Sequence, residues 1–230
     1  DRSAAYLKGA KFTLRQVVMK RFIGKTLFFL SFLSISFAQE AQDPCFVIYA
    51  DSRTNHEVHR KIIRAISQTN PAMVFCAGDL VDNGNNPGEW KIFKEIISLL
   101  PTTSKYYPAM GNHENNPKLF LDNFPYLNNQ TWYSVEKDKI HFVVLDTVAD
   151  TGINSAQYKW LENDFLGLAK DTKFIIVILH HPPFTTGGHS EDEKGLKNSI
   201  IPLFEKFKVD AVFAGHSHNY ERLRHKGIYY

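Results

Sequence analysis

The chain has 230 residues, 43% hydrophobic and 13% aromatic, with 13 Gly and 10 Pro, which excludes a disordered, collagen-like or low-complexity chain and allows one full core. Its two cysteines are too few for a disulfide scaffold or a thiolate zinc cage. The formal charge of +3 comes from one end, because seven basic side chains and a single acid fall in residues 1–38; the rest is slightly acidic and shows no nucleic-acid surface.

Lys20, Arg21 and Lys25 precede an apolar run from Leu27 to Phe37, and Ser36-Phe37-Ala38 places small residues where a signal peptidase reads. This layout predicts a signal peptide over Met19–Ala38, with residues 1–18 as extra residues ahead of it. The run is short for a membrane span. A buried helix or an uncleaved anchor is the competing reading. The processed chain is expected to begin near Gln39, in a secreted or periplasmic location, with no stable membrane span left.

Beyond residue 38, short apolar runs alternate with helical patterns. Cys45–Ala50 reads as a strand. Thr54–Asn70 reads as a helix, opened by the capping box Thr54-x-x-Glu57, with Val58, Ile62, Ala65 and Ile66 on its buried face. Ala72–Ala77 is a strand. Glu89–Leu100 is a helix with Trp90, Phe93, Ile97 and Leu100 inward, stopped by Pro101. Lys105–Met110 is a weaker strand. Asn115–Asn129 reads as a loop. Trp132–Val135 and Ile140–Leu145 flank a polar turn and read as a hairpin, with Trp132 and Tyr133 read as core or hairpin packing and flanking of the pocket as the competing role. Asn154–Ala169 is a helix, Phe174–Leu179 a strand, Lys197–Phe207 a helix and Val209–Ala214 a strand. Gly227–Tyr230 opens a further strand. The alternation predicts an α/β domain with a mixed sheet.

Five of the apolar runs end in metal-ligand residue types: Asp51, Asp79, Asn112 with His113, His180, and His216 with His218. Ligands gather at the carboxyl ends of strands in α/β sheets. Taken singly, each residue is better read as a turn former or helix cap. Taken together, in order, they form an oxygen and nitrogen donor set without thiolate, suited to Mg, Mn, Zn or Fe.

The segments Asp51-Ser52-Arg53, Gly78-Asp79, Gly111-Asn112-His113-Glu114, His180-x-Pro182 and Gly215-His216-Ser217-His218 resemble the calcineurin-like metallophosphoesterases. The stretch from Gly215 to Arg222 is most similar to the purple acid phosphatase branch. The resemblance implies a four-layer α/β/β/α sandwich over residues 39–230, truncated at its C-terminus. It also implies a two-metal centre of Fe, Mn or Zn. By resemblance, Asp51 and His218 bind the first metal, Asp79 bridges, and Asn112, His180 and His216 bind the second. His113 sits over the phosphate as proton donor or transition-state stabiliser; Arg53, Asn112 and His189 are the expected substrate contacts. His181 is expected to back up a ligand or to be structural. Glu114 or Asp146 is expected to orient an imidazole, with a plain turn as the competing role for Asp146. The implied reaction is hydrolysis of phosphomonoesters or phosphodiesters by hydroxide generated between two metals.

One position departs from the pattern. Relatives carry His where this chain has Arg53, and a guanidinium cannot ligate a cation. The Tyr of purple acid phosphatases is replaced by Asp82, so no tyrosinate-to-iron colour is expected. Asp82 completes the first metal, or that metal is held with more water. Arg53 grips a substrate phosphate or pairs with Asp82. Beside a phosphoesterase, two readings remain: a metal- or phosphate-binding relative impaired by Arg53, and an interaction module using only the scaffold. A disulfide between Cys45 and Cys76 is not expected, given the geometry it demands.

Overall fold

The computed structural model describes residues 46–189, 192 and 194–230. The expected signal peptide, the residues ahead of it and Cys45 lie outside the described residues, and Cys76 is a free, buried thiol.

Strands β1 (Phe46–Tyr49), β2 (Met73–Cys76) and β3 (Lys105–Pro108) form a parallel three-stranded sheet in that order. Helices α1 (His56–Gln68) and α2 (Pro87–Ile97) connect them, and α3 (Pro117–Asn123) leads out of β3. The second sheet contains β4 (Tyr133–Lys137), β5 (Ile140–Val144), β6 (Phe174–Ile178), β7 (Ala211–Phe213), β8 (Arg224–His225) and β9 (Ile228–Tyr229), in the order β4-β5-β6-β7-β9-β8. Its β4–β5 and β8–β9 pairs are antiparallel, while β5–β6, β6–β7 and β7–β9 are parallel. Helices α4 (Ala156–Leu166) and α5 (Ile201–Phe207) supply its crossovers.

Side-chain alternation along the strands assigns the layers. Phe75, Phe142, Val144, Ile176 and Ile178 enter the core between the sheets, where the Phe75 and Phe142 rings stack at 4.8 Å. Val74 turns outward to Ile63, Ile66 and Ile96 of α1 and α2. Val143, Ile175 and Val177 turn outward to Leu161, Phe165 and Phe204 of α4 and α5. The result is the expected α/β/β/α order. Phe142 is fully buried, so its replacement by Ala should cost about 3–5 kcal/mol.

Several local expectations need correction. The N-cap of α1 is Asn55, whose side chain accepts from Val58 N–H at 3.1 Å, so Thr54 makes no capping box. The buried face of α1 is His59, Ile63 and Ile66, while Val58 and Ile62 are 45% and 40% exposed. The shift places His59 under the sheet, where its Nε2 meets the Tyr49 hydroxyl at 3.2 Å. Residues 115–129 hold α3, capped by Asn116 with Pro117 opening the first turn, and a 3-10 turn at Pro125–Leu127. Tyr133 packs in the core with its hydroxyl donating to the Pro108 carbonyl at 2.9 Å. Among the described residues, no helix is long and apolar enough to cross a membrane.

Candidate metal centre

All five strand-end segments meet on one rim. Asp51 leaves β1, Asp79 leaves β2, Asn112 and His113 follow β3, His180 follows β6, and His216 and His218 follow β7. The close approach demands glycine at two joints. A Cβ on Gly78, which has φ +87°, would stand 2.5 Å from His180 Nδ1. A Cβ on Gly215 would stand 2.7 Å from both the Ala77 carbonyl oxygen and Asp51 Oδ2.

Two ligand groups result, each with its donor atoms within 4.8 Å of one another: His180, His181 and His216, and Asp51, Asp79 and His218. Asp79 lies between them. Its Oδ1 is 3.3 Å from His180 Nε2 and accepts from His113 N–H at 3.1 Å, while its Oδ2 is 3.4 Å from Arg53 Nε. Asp51 accepts from His216 N–H with both oxygens, at 3.0 and 3.1 Å, and stands 3.6 Å from His218 Nε2. Burial pushes the Asp51 carboxyl up to about 6, against the pull of the His216 N–H.

The hydrogen bonds of His180 show what the site fits. Its Nδ1 donates to the Ala77 carbonyl at 2.9 Å, which leaves Nε2 as the lone-pair nitrogen of a neutral ring. Burial lowers its pKa to about 4, keeping that ring neutral near pH 7. Its Nε2 then faces Asn112 Oδ1 at 2.9 Å and Asp79 Oδ1 at 3.3 Å. Three acceptors thus converge with no proton between them, an arrangement that a cation relieves. The donor set, imidazole nitrogen with carboxylate and amide oxygen, matches Zn, Fe or Mn chemistry.

His181 is closer to the centre than a purely structural role requires. Its ring lies 4.5 Å from the His216 ring between centroids, and its Nδ1 meets the Thr147 hydroxyl at 2.7 Å. Burial holds it neutral, with its pKa lowered to about 2. Thr147 also accepts from the His181 backbone N–H at 3.0 Å; it is a site-shaping residue that strand-end reading passed over. The His189 ring sits 3.9 Å from that of His216 and 6.4 Å from that of His218, over the mouth of the centre. Its loop is fastened by Glu221, which accepts from Thr185 Oγ1 and Thr186 N–H, both at 2.8 Å, and from the Thr186 hydroxyl.

Neither acid proposed as an imidazole partner has that role. The Glu114 carboxylate is fully buried and accepts four backbone N–H groups, from Asp79, Leu80, Val81 and Gly111, at 2.7–3.1 Å. Burial pushes its pKa up to about 7 against those donors, yet the geometry is that of the ionised form, since each of these four partners donates. Asp146 caps a turn by accepting from Val148 and Ala149 N–H at 2.9 and 3.1 Å. His113 is oriented instead by the Asp82 carbonyl, which accepts from Nδ1 at 2.7 Å. Arg53 pairs with Asp82 through Nη1 at 2.7 Å. Beside the centre, a cavity of about 1000 Å³ opens past Asp51 and His218, lined by Phe184, Phe213 and Tyr229.

A rim of strand ends thus gathers buried imidazoles and carboxylates around a shared aspartate, a donor set suited to holding cations. The sequence pattern of the calcineurin-like phosphoesterases matches residues 46–220, and the chain belongs to that family. A purple acid phosphatase of Glycine max is 32% identical over 171 residues, covering 65% of this chain and 37% of the relative. The Fe(3+)-Zn(2+) purple acid phosphatase 12 of Arabidopsis thaliana is 38% identical over 93 residues, covering 40% of this chain and 20% of the relative. The chain therefore spans well under half the length of these curated relatives. Among solved structures, the purple acid phosphatase PPD1 of yellow lupin superposes with a TM-score of 0.66 at 20% identity, covering 77% of this chain and 38% of that one. A dimetal phosphatase of Danio rerio gives 0.64 at 12% identity, covering 80% and 85%. These likenesses establish the fold.

Proposed function

We propose that the chain is a metal-dependent phosphoester hydrolase acting on phosphomonoesters or phosphodiesters. The observation that carries this reading is the convergence of His180 Nε2 on Asn112 Oδ1 at 2.9 Å and on Asp79 Oδ1 at 3.3 Å. Asp51, Asp79 and His218 would hold one cation, and Asp79, Asn112, His180 and His216 another. Fe, Zn and Mn suit these donors, and one relative is named for Fe and Zn. Bound there, such cations lower the pKa of a water and neutralise phosphoryl oxygens.

The remaining work falls to the chain's own side chains. With Nδ1 held by the Asp82 carbonyl, the His113 ring turns Nε2 toward the Asp79 carboxylate, 3.9 Å from Oδ2. A protonated ring so placed gives its Nε2 proton to a leaving oxygen. Asn112 and His189 flank the same space and would steady the ester. The charge pattern of residues 19–38 supports export by a signal peptide, so the proposed location is secreted or periplasmic.

The test is hydrolysis of an aryl phosphate and an aryl phosphodiester by purified protein, stripped of metal and then supplied with Mn, Fe or Zn. Turnover that returns with metal supports the reading. Metal binding without turnover would instead select an impaired relative, which the Arg53 contact with Asp79 favours as the second reading. Mass determination of the exported protein tests cleavage near Gln39.

A further inference from the structure

The two ligand groups are unequal, and Arg53 makes them so. The group around His180 and His216 is buried. The group around Asp51 and His218 is more open, with the His218 side chain 50% exposed. The carboxylate it shares with the first group, Asp79, already faces the Arg53 guanidinium through Oδ2 at 3.4 Å. A guanidinium stays charged at any pH the fold survives, so it competes for that oxygen and repels a cation bound there.

The guanidinium is also incompletely satisfied. Nη1 donates to Asp82 at 2.7 Å, but the buried Nε makes no hydrogen bond beyond its 3.4 Å ion-pair approach to Asp79 Oδ2. The guanidinium thus lies against Asp79 and Asp82 at the rim of the centre, and a planar fork of this kind is suited to a phosphoryl oxygen.

We propose that this centre holds one cation tightly, on Asp79, Asn112, His180 and His216, and that Arg53 replaces most of the second cation's charge by receiving a phosphoryl oxygen directly. The inference rests on the phosphoesterase reading and deepens it. Arg53 is then a substrate-binding residue, and the Asp51–His218 position exchanges its metal readily. His218 and Asp51 remain near the ester, but as weak ligands.

The test counts metal and measures phosphate binding, neither of which depends on turnover. The full chain is loaded with Zn or Mn, passed over a chelating resin, and its retained metal is measured by native mass spectrometry. The wild type should keep one ion per chain and Arg53→His should keep two, with the second at least tenfold tighter than in the wild type. With one ion per chain loaded in each, inorganic phosphate should bind Arg53→Gln about tenfold more weakly than wild type. Two ions retained by the wild type would overturn the inference while leaving the phosphoesterase reading intact. Equal phosphate affinity in Arg53→Gln would do the same. No retained metal in any form would overturn both. The wild-type count and the Arg53→Gln arm stand even if Arg53→His fails to fold.

Discussion

Glu114→Gln isolates the element that holds the strand ends together. The substitution keeps the volume of the side chain and exchanges one oxygen for an amide nitrogen. In the native arrangement Oε1 accepts from Leu80 and Val81, and Oε2 from Asp79 and Gly111. Whichever oxygen becomes NH2, two backbone donors lose their acceptor and face another donor. All four are buried with the fully buried carboxylate, so water cannot compensate. Each stranded donor costs about 1–3 kcal/mol, giving about 2–6 kcal/mol for the pair. With a urea m-value of about 2 kcal/mol/M, the midpoint should fall by about 1–3 M. Urea unfolding followed by tryptophan fluorescence measures it, and the same samples should retain less metal after dialysis. A midpoint shift below about 0.3 M would show that the carboxylate does not organise these loops.

His113→Ala should lower turnover about 10²–10⁴-fold while metal content stays unchanged, read by steady-state kinetics beside metal analysis. Glu221→Ala releases the Thr185–Thr186 anchor, so KM should rise several-fold with little change in kcat, and cleavage by a protease near His189 should quicken. His141 makes a pH prediction: burial disfavours its charge, but Asp164 at 2.7 Å and Glu136 at 2.5 Å together raise its pKa above the usual 6.5. The clamp therefore stabilises fully below that usual value and fades as pH rises through the raised one. The gap in melting temperature between wild type and His141→Gln should be wide at pH 5.5 and narrow at pH 9; a gap independent of pH would refute it.

Much of this fold is visible in the linear chain because its central strands are buried on both faces. Phe174–Ile178 runs apolar without interruption and Ile140–Val144 is broken only by His141, which marks a strand but not its facing. The faces appear only when Phe142 meets Phe75 from the other sheet. The α1 stripe misled for a related reason. A hydropathy pattern prefers Val58 and Ile62 inside, whereas His59 goes in, where Tyr49 at the end of the preceding strand offers it a hydrogen bond. The helix at Pro117–Asn123 did leave a local mark, the Asn116-Pro117 pair, which repeats the Asn86-Pro87 start of α2. Its asparagine-rich surroundings resembled a loop more strongly.

The metal-binding residue types were legible because strand ends place them in sequence order. Their partners were not. His180 and His113 are oriented by the carbonyls of Ala77 and Asp82, and a backbone oxygen leaves no trace in residue identity. Thr147 escaped notice because a hydroxyl three residues past β5 has no pattern of its own. Glu114 was noticed as an acid but assigned to the wrong neighbour, since its four donors come from two separate loops.

Those four donors connect to the strain at the centre. Asp51, Asp79, His216 and His218 all adopt left-handed backbone, with φ of 56°, 54°, 68° and 50°. A non-glycine residue in that region costs roughly 1–2 kcal/mol, less for Asp and more for residues without a short polar side chain. Four such residues at one rim oppose folding by several kcal/mol, and none can be relieved by glycine without deleting a candidate ligand. The compensation is local: Glu114 fixes the Asp79 turn, Asp51 binds the His216 N–H with both oxygens, and the Gly78 N-terminal to Asp79 lets His180 close against it. Function and stability therefore compete at the same residues, and the site stays in shape because its own carboxylates hold the turns that carry it.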